Sequence, residues 1–127
     1  MVVRKGHPRE KARSLAELQQ CDWTMPTPKG SYYRLLHDLC GDRGMAPKIV
    51  VTCETFMACT SLVAQSDFVS ILSVDVIDDP ILGRQLVALE LDEPLPKATF
   101  YLIQRKDAAL TPMSRYMAQL FRRNCQQ

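Results

Sequence analysis

The run Asp22-Trp23-Thr24-Met25-Pro26-Thr27-Pro28-Lys29-Gly30-Ser31-Tyr32-Tyr33 constrains this chain more than any other segment. Pro26, Pro28 and Gly30 exclude a helix before Ser31, while Tyr32, Leu35, Leu36, Leu39 and Cys40 recur after it at helical spacing. A short strand over residues 22–25 therefore feeds a Pro/Gly-rich turn and then a helix N-terminus. The first N–H groups of a helix have no partner inside it, and with the helix dipole they favour a carboxylate or phosphate at the turn. A plainer reading of the same residues is that Ser31 caps the helix and Lys29 is solvated.

With 127 residues the chain makes one domain, large enough to bury a core without disulfides or metal. Its formal net charge is +2, and the cations are spread over Arg4, Lys5, Arg9, Lys11 and Arg13 and over Arg115, Arg122 and Arg123, with no block of five. These read as solvated faces rather than a nucleic-acid or membrane surface. No apolar run reaches membrane-span length, and Met1-Val2-Val3-Arg4-Lys5 lacks the apolar stretch of a signal peptide, so a cytoplasmic protein is expected. Cys21, Cys40, Cys53, Cys59 and Cys125 are odd in number and form no Cys-x-x-Cys, which fits free, buried thiols in a reducing compartment. His7 and His37 lie far from any cysteine pair, and no metal or other cofactor is expected.

Along the chain, residues 2–4 read as the tail of a strand, and Ser14-Leu15-Ala16-Glu17 fits a capping box opening a short helix to about residue 20. The helix from Ser31 ends at Gly41 and Gly44, and the β-branched run of residues 48–53 has the composition of a strand buried on both faces. A helix over residues 55–65 carries Phe56, Cys59, Thr60 and Val63 on one face. Further strands are expected over residues 68–72, 86–89 and 99–103. Thr111-Pro112 opens a closing helix whose stripe is Met113, Tyr116, Met117, Leu120 and Phe121. Strands alternating with helices imply an α/β fold, with a parallel or mixed sheet covered by helices on both faces.

The segments Val2-Val3-Arg4-Lys5-Gly6-His7-Pro8, Ser14-Leu15-Ala16-Glu17-Leu18, Asp22-Trp23, residues 50–64, Ile71-Leu72 and Leu102-Ile103-Gln104-Arg105-Lys106-Asp107 with Thr111-Pro112 together resemble the C-terminal part of a LysR-type transcriptional regulator. Within that family, Trp23-Thr24-Met25-Pro26-Thr27-Pro28, Gly30-Ser31-Tyr32-Tyr33, Cys53-Glu54-Thr55-Phe56, Ala58-Cys59, Ser66-Asp67-Phe68 and Tyr101-Leu102-Ile103-Gln104-Arg105 resemble regulators of p-aminobenzoyl-glutamate utilisation. The resemblance implies a Rossmann-like subdomain of a type 2 effector domain, like that of periplasmic binding proteins, in which two subdomains close over a small ligand. It implies a second subdomain at residues 8–98, crossing strands at 1–7 and 99–110, and at 111–127 a helix belonging with the first subdomain. The DNA-binding helix-turn-helix and most of the first subdomain are not in this sequence, so DNA would be reached only through that other domain. Gln65-Ser66-Asp67 stands where the family commonly has a glycine, and Leu72-Ser73 where a Leu-Pro often follows.

In open α/β sheets ligands lie outside the carboxyl ends of strands. The resemblance places one wall of the cleft at the turns holding Thr27, Lys29, Gly30, Ser31 and Tyr32, and Glu54, Thr55 and Phe56. For an aromatic carboxylate such as p-aminobenzoyl-glutamate, Lys29, the Ser31 hydroxyl and nearby N–H groups suit a carboxylate, and Thr55 can donate to another oxygen. Tyr32 or Phe56 can lie against the ring, and Glu54 can accept from the amine. Tyr32 and Phe56 also fall on helix stripes and read equally as core, and Glu54 as a residue placed against the helix dipole.

No catalytic residues are expected. An enzyme using Cys53 or Ser31 with His37 as base lacks support, since His37 is two turns inside the helix from Ser31 and no Gly-x-Ser-x-Gly elbow is present. A stand-alone solute-binding protein of the same fold is the alternative function. The closing stripe needs cover, by folding back on its own sheet or by a second copy, and a homo-oligomer is expected.

Overall fold

The computed structural model describes residues 1–26, 31–95, 101–107 and 109–124. Strands β1 (Val2–Arg4), β2 (Asp22–Pro26), β3 (Lys48–Cys53) and β4 (Leu86–Ala88) are interspersed with helices α1 (Ser31–Gly41), α2 (Phe56–Gln65), α3 (Asp75–Asp78) and α4 (Pro112–Asn124). β2 and β3 run parallel, with Pro26 opposite Cys53, and β1 and β4 run antiparallel, with Val3 opposite Val87. Val69 and Ser70 join the two pairs: Val2 and Ser70 exchange N–H···O bonds of 2.8 and 3.0 Å, and Val69 donates to Asp22 while accepting from Thr24, both at 3.0 Å. The spatial order is therefore β3, β2, residues 69–70, β1, β4, a mixed sheet.

Strand periodicity divides the core between two faces. Val3, Trp23, Met25, Val69 and Ile71 pack with Leu36, Leu39 and Cys40 of α1 and with Leu15 and Leu18. Val2, Leu72 and Leu86 turn the other way, onto Cys59 and Val63 of α2 and Val76 of α3. Adjacent residues Val2 and Val3 thus serve different layers. The chain leaves β2 through α1 to reach β3, then returns through α2 past β2 to residue 69, parallel to Trp23. Crossovers of the same hand that run in opposite directions put their helices on opposite faces, as α1 and α2 are here.

Several local expectations are corrected. Residues 15–18 form a single 3-10 turn rather than an α-helix, tied by Glu17 carboxylate bonds to the N–H groups of Arg13 and Ser14. β3 is not buried on both faces: its residues alternate between exposed and half-buried, because among the described residues it has one strand neighbour, β2, and lies at the sheet edge. The strand expected at residues 68–72 contracts to the bridge at Val69 and Ser70. Of residues 99–103, the first two lie outside the described residues, and Tyr101, Leu102 and Ile103 are exposed with no strand partner among the described residues; strand composition gives a strand only beside another strand. Among the described residues the α4 stripe is left largely uncovered: Met113, Tyr116, Met117 and Phe121 are exposed, and the buried residue of the helix is Ala118, outside the stripe. No described helix is long and apolar enough to cross a membrane.

Candidate functional site

β2 and β3 end side by side at the carboxyl end of the sheet, Pro26 against Cys53. From there the chain departs toward α1 on one face and α2 on the other. Adjacent parallel strands whose connections diverge in this way open a crevice outside their carboxyl ends, the usual ligand position in open α/β sheets.

At the α2 entrance Thr55 is the N-cap, with extended backbone, and its hydroxyl oxygen accepts the Ala58 N–H at 3.1 Å. Its carbonyl accepts the Cys59 N–H at 3.2 Å. The N–H groups of Phe56 and Met57 come one turn too early for intrahelical partners, and among the described residues neither they nor the Thr55 hydroxyl hydrogen has an acceptor. No acidic residue occupies the first turn of either α1 or α2, so neither dipole is neutralised from within.

Of the expected ligand residues, Glu54, Thr55 and Phe56 lie together on this turn and are exposed. Phe56 is 37% exposed, which takes it off the buried stripe of α2, where Cys59, Thr60 and Val63 remain. The reason is position: Phe56 is the first residue of α2, directly after the cap, and the buried face begins only at Cys59. Tyr32 opens α1 and is half-buried, its ring partly taken up by the α1-side core. Ser31 begins α1. Thr27, Lys29 and Gly30 lie outside the described residues.

Two features escaped the sequence reading. Met57, 53% exposed, stands beside Phe56 and gives the turn two adjacent apolar side chains; its off-stripe position at the start of a helix was the available signal. The cysteines under the turn are not plain hydrophobes. Thr24 Oγ1 lies 3.7 Å from Cys53 Sγ and 3.9 Å from Cys59 Sγ, and Cys59 Sγ lies 3.5 Å from Ser70 Oγ. Burial pushes the Cys59 thiol up from its ordinary pKa, partly countered by the Ser70 and Thr24 hydroxyls, and the adjoining Cys53 thiol adds to the upward push. Burial likewise raises Cys21 and Cys40. Among the described residues no three His, Cys, Asp or Glu side chains cluster as a metal site would require. His37 packs its ring against Tyr33, centroids 5.0 Å apart.

The family model for the LysR substrate binding domain matches residues 1–126. The fold is similar to that of the PA01 protein from Pseudomonas aeruginosa, described as a LysR family transcriptional regulator, with a TM-score of 0.74 and 20% identity over 99% of this chain and 44% of that one. The effector binding domain of QuiR in complex with shikimate superposes with a TM-score of 0.75 at 21% identity, covering 97% of this chain and 58% of that one. HinK, a LysR family transcriptional regulator from Pseudomonas aeruginosa, gives a TM-score of 0.70 at 20% identity over 97% and 43% of the two chains. This chain spans roughly half the length of the structures it matches.

Proposed function

Since this chain belongs to the LysR substrate-binding domain family, with the type 2 periplasmic-binding-protein-like fold, we propose that it is the effector-sensing part of a cytoplasmic DNA-binding transcription regulator. The observation that carries this reading is the adjacency of Pro26 and Cys53 at the carboxyl ends of two parallel strands, followed by helices on opposite faces, the place where ligands lie in open α/β sheets. The ligand is a small anion, an aromatic carboxylate of the p-aminobenzoyl-glutamate type. Lys29 and Ser31, with the N–H groups opening α1, take one carboxylate, helped by Thr27 and Gly30 in the turn. The Thr55 hydroxyl and the N–H groups opening α2 take a second oxygen, Phe56 and Tyr32 flank the ring, and Glu54 accepts from the amine. That a domain of this fold is known in complex with shikimate, itself a cyclic carboxylate, supports the ligand class.

Residues 8–98 form the second subdomain in this reading, residues 1–7 and 99–110 cross to the first, and residues 111–127 pack on it. DNA is contacted only through another domain of the full-length regulator. The exposed Met113, Tyr116, Met117 and Phe121 need cover, and this chain alone forms a homo-oligomer through them, which sedimentation at rising concentration tests; a strict monomer contradicts it.

Calorimetric titration of p-aminobenzoyl-glutamate into the full-length regulator, its Lys29→Ala and Ser31→Ala variants, and this chain alone tests the site. A charge-assisted hydrogen bond contributes about 1.5–3 kcal/mol, so each variant binds roughly ten- to a hundredfold more weakly. This chain alone, offering one wall of the cleft, binds more weakly still. Wild-type affinity in both variants moves the site away from the turn.

A further inference from the structure

Cys53 and Cys59 are the one pair of described cysteines that share a hydrogen-bonding partner, converging from the end of β3 and the second turn of α2 on the same hydroxyl, Thr24 Oγ1, at 3.7 and 3.9 Å. Cys59 is fully buried, whereas Cys53, the last residue of β3, is half-buried. The pair therefore sets a partly exposed cysteine beside a shielded one, the placement that a thiol open to a small oxidant and its resolving partner need.

We propose that Cys53 and Cys59 form a redox-active dithiol that closes to an intramolecular disulfide on exposure to a peroxide and so locks the turn of residues 53–56. The Cys53 thiolate attacks hydrogen peroxide, giving a sulfenic acid and hydroxide. The Cys59 sulfur then attacks the Cys53 sulfur, forming the S–S bond and releasing water. Overall two thiols and one hydrogen peroxide become one disulfide and two waters, two electrons passing from sulfur to oxygen. Closure withdraws both sulfurs from Thr24 and Cys59 from Ser70, and ties the first turns of α2 to the end of β3 across Glu54, Thr55 and Phe56. That the locked turn alters ligand affinity rests on the proposed function; formation of the disulfide does not.

The test uses the native chain, treated with hydrogen peroxide, blocked with an alkylating agent and digested with trypsin. Both cysteines fall in the single peptide of residues 49–84, because no Lys or Arg lies between Lys48 and Arg84. The expected product is that peptide lighter by two hydrogens and without alkyl groups; cleavage after Glu54 then leaves two fragments joined until reduced. In Cys59→Ser the sulfenic acid at Cys53 persists and is captured by dimedone. The proposal is overturned if the peptide from oxidised, still folded protein retains two alkylatable thiols, or if Cys53 pairs with Cys21, Cys40 or Cys125. Titrating p-aminobenzoyl-glutamate into reduced and oxidised full-length regulator separates the two readings. No binding in either form counts against the ligand assignment, while the peptide map alone decides the dithiol.

Discussion

The His7 imidazole donates from Nε2 to the carbonyl oxygen of Asp67 at 3.1 Å, across sixty positions of sequence. Its tautomer follows from the other nitrogen: Nδ1 accepts the Arg9 N–H at 2.9 Å, so the ring hydrogen sits on Nε2. The Arg4 guanidinium reinforces the same junction, with Nη2 at 2.6 Å and Nε at 2.9 Å from the Asp67 carboxylate. The segment after β1 is thereby clasped to the turn after α2. Asp67 supplies both a backbone acceptor and a charge to this clasp.

His7→Ala leaves the Asp67 carbonyl and the Arg9 N–H without partners beside a 5% exposed position. Each group stranded in the interior costs about 1–3 kcal/mol, so the urea midpoint falls clearly. Arg4→Ala removes an ion pair whose side chains are 30% and 59% exposed, and costs under about 1 kcal/mol. A larger loss for Arg4→Ala than for His7→Ala would show that the imidazole does not hold the junction.

Gly83 permits a close backbone approach between the turn before β4 and α3. A Cβ there would strike the Ile77 carbonyl, which is rigid helix backbone, while Gly83 N–H donates to Asp79 O at 2.8 Å. Gly83→Ala should destabilise by at least the 1–3 kcal/mol usual for overpacking, visible as a drop in Tm. Gly41→Ala meets open space and serves as the neutral control.

Thr55 caps α2 through its hydroxyl oxygen, and Thr55→Ala should cost about 1 kcal/mol while Thr55→Ser costs little. Equilibrium denaturation measures both. Equal losses in the two variants would mean that the Thr55 methyl, rather than the cap, carries the effect.

Glu17 is held below the usual carboxylate range chiefly by the Arg13 N–H, which outweighs an opposing desolvation penalty with help from the Ser14 hydroxyl and N–H. Asp79 is lowered in the same way by the N–H groups of Leu82 and Ile81. A depressed carboxyl binds its proton less readily in the folded than in the unfolded chain. Stability is therefore full above the ordinary Glu and Asp values, about 4.3 and 3.9, and drains away as pH falls through the folded values. Glu17→Gln keeps an acceptor for the N–H groups but removes the charge, and should flatten the fall in urea midpoint below about pH 4.5. An unchanged slope would remove Glu17 from the acid response.

Residues 48–53 were legible as a strand and illegible as an edge. Val50 and Val51 carry the β-branched composition, but which strands flank a segment depends on chain reversal elsewhere, here the return of α2 past β2 to Val69. Phe56 illustrates the same limit at the candidate site. Its spacing from Cys59, Thr60 and Val63 is correct for a core stripe, yet it is the first residue of α2 and the buried face begins only at Cys59. The α4 stripe is equally regular in sequence and stays exposed among the described residues, since periodicity states that a face needs cover and not what covers it.

What the sequence by itself determined was local and covalent in origin. Pro26 is the last residue of β2, Thr55 and Thr111 cap helices, and Gly44, at φ +65°, takes the turn after α1 where few other residues fit. These follow from φ/ψ limits and unpaired backbone groups within a few residues of each other. Tertiary structure alone decided that Pro26 lies against Cys53, that Val2 and Val3 feed opposite cores, and that Thr24 stands between two cysteines. Those relations come from strand register and crossover direction, set by how both faces of one sheet are buried at once, a condition that no short window of residues contains.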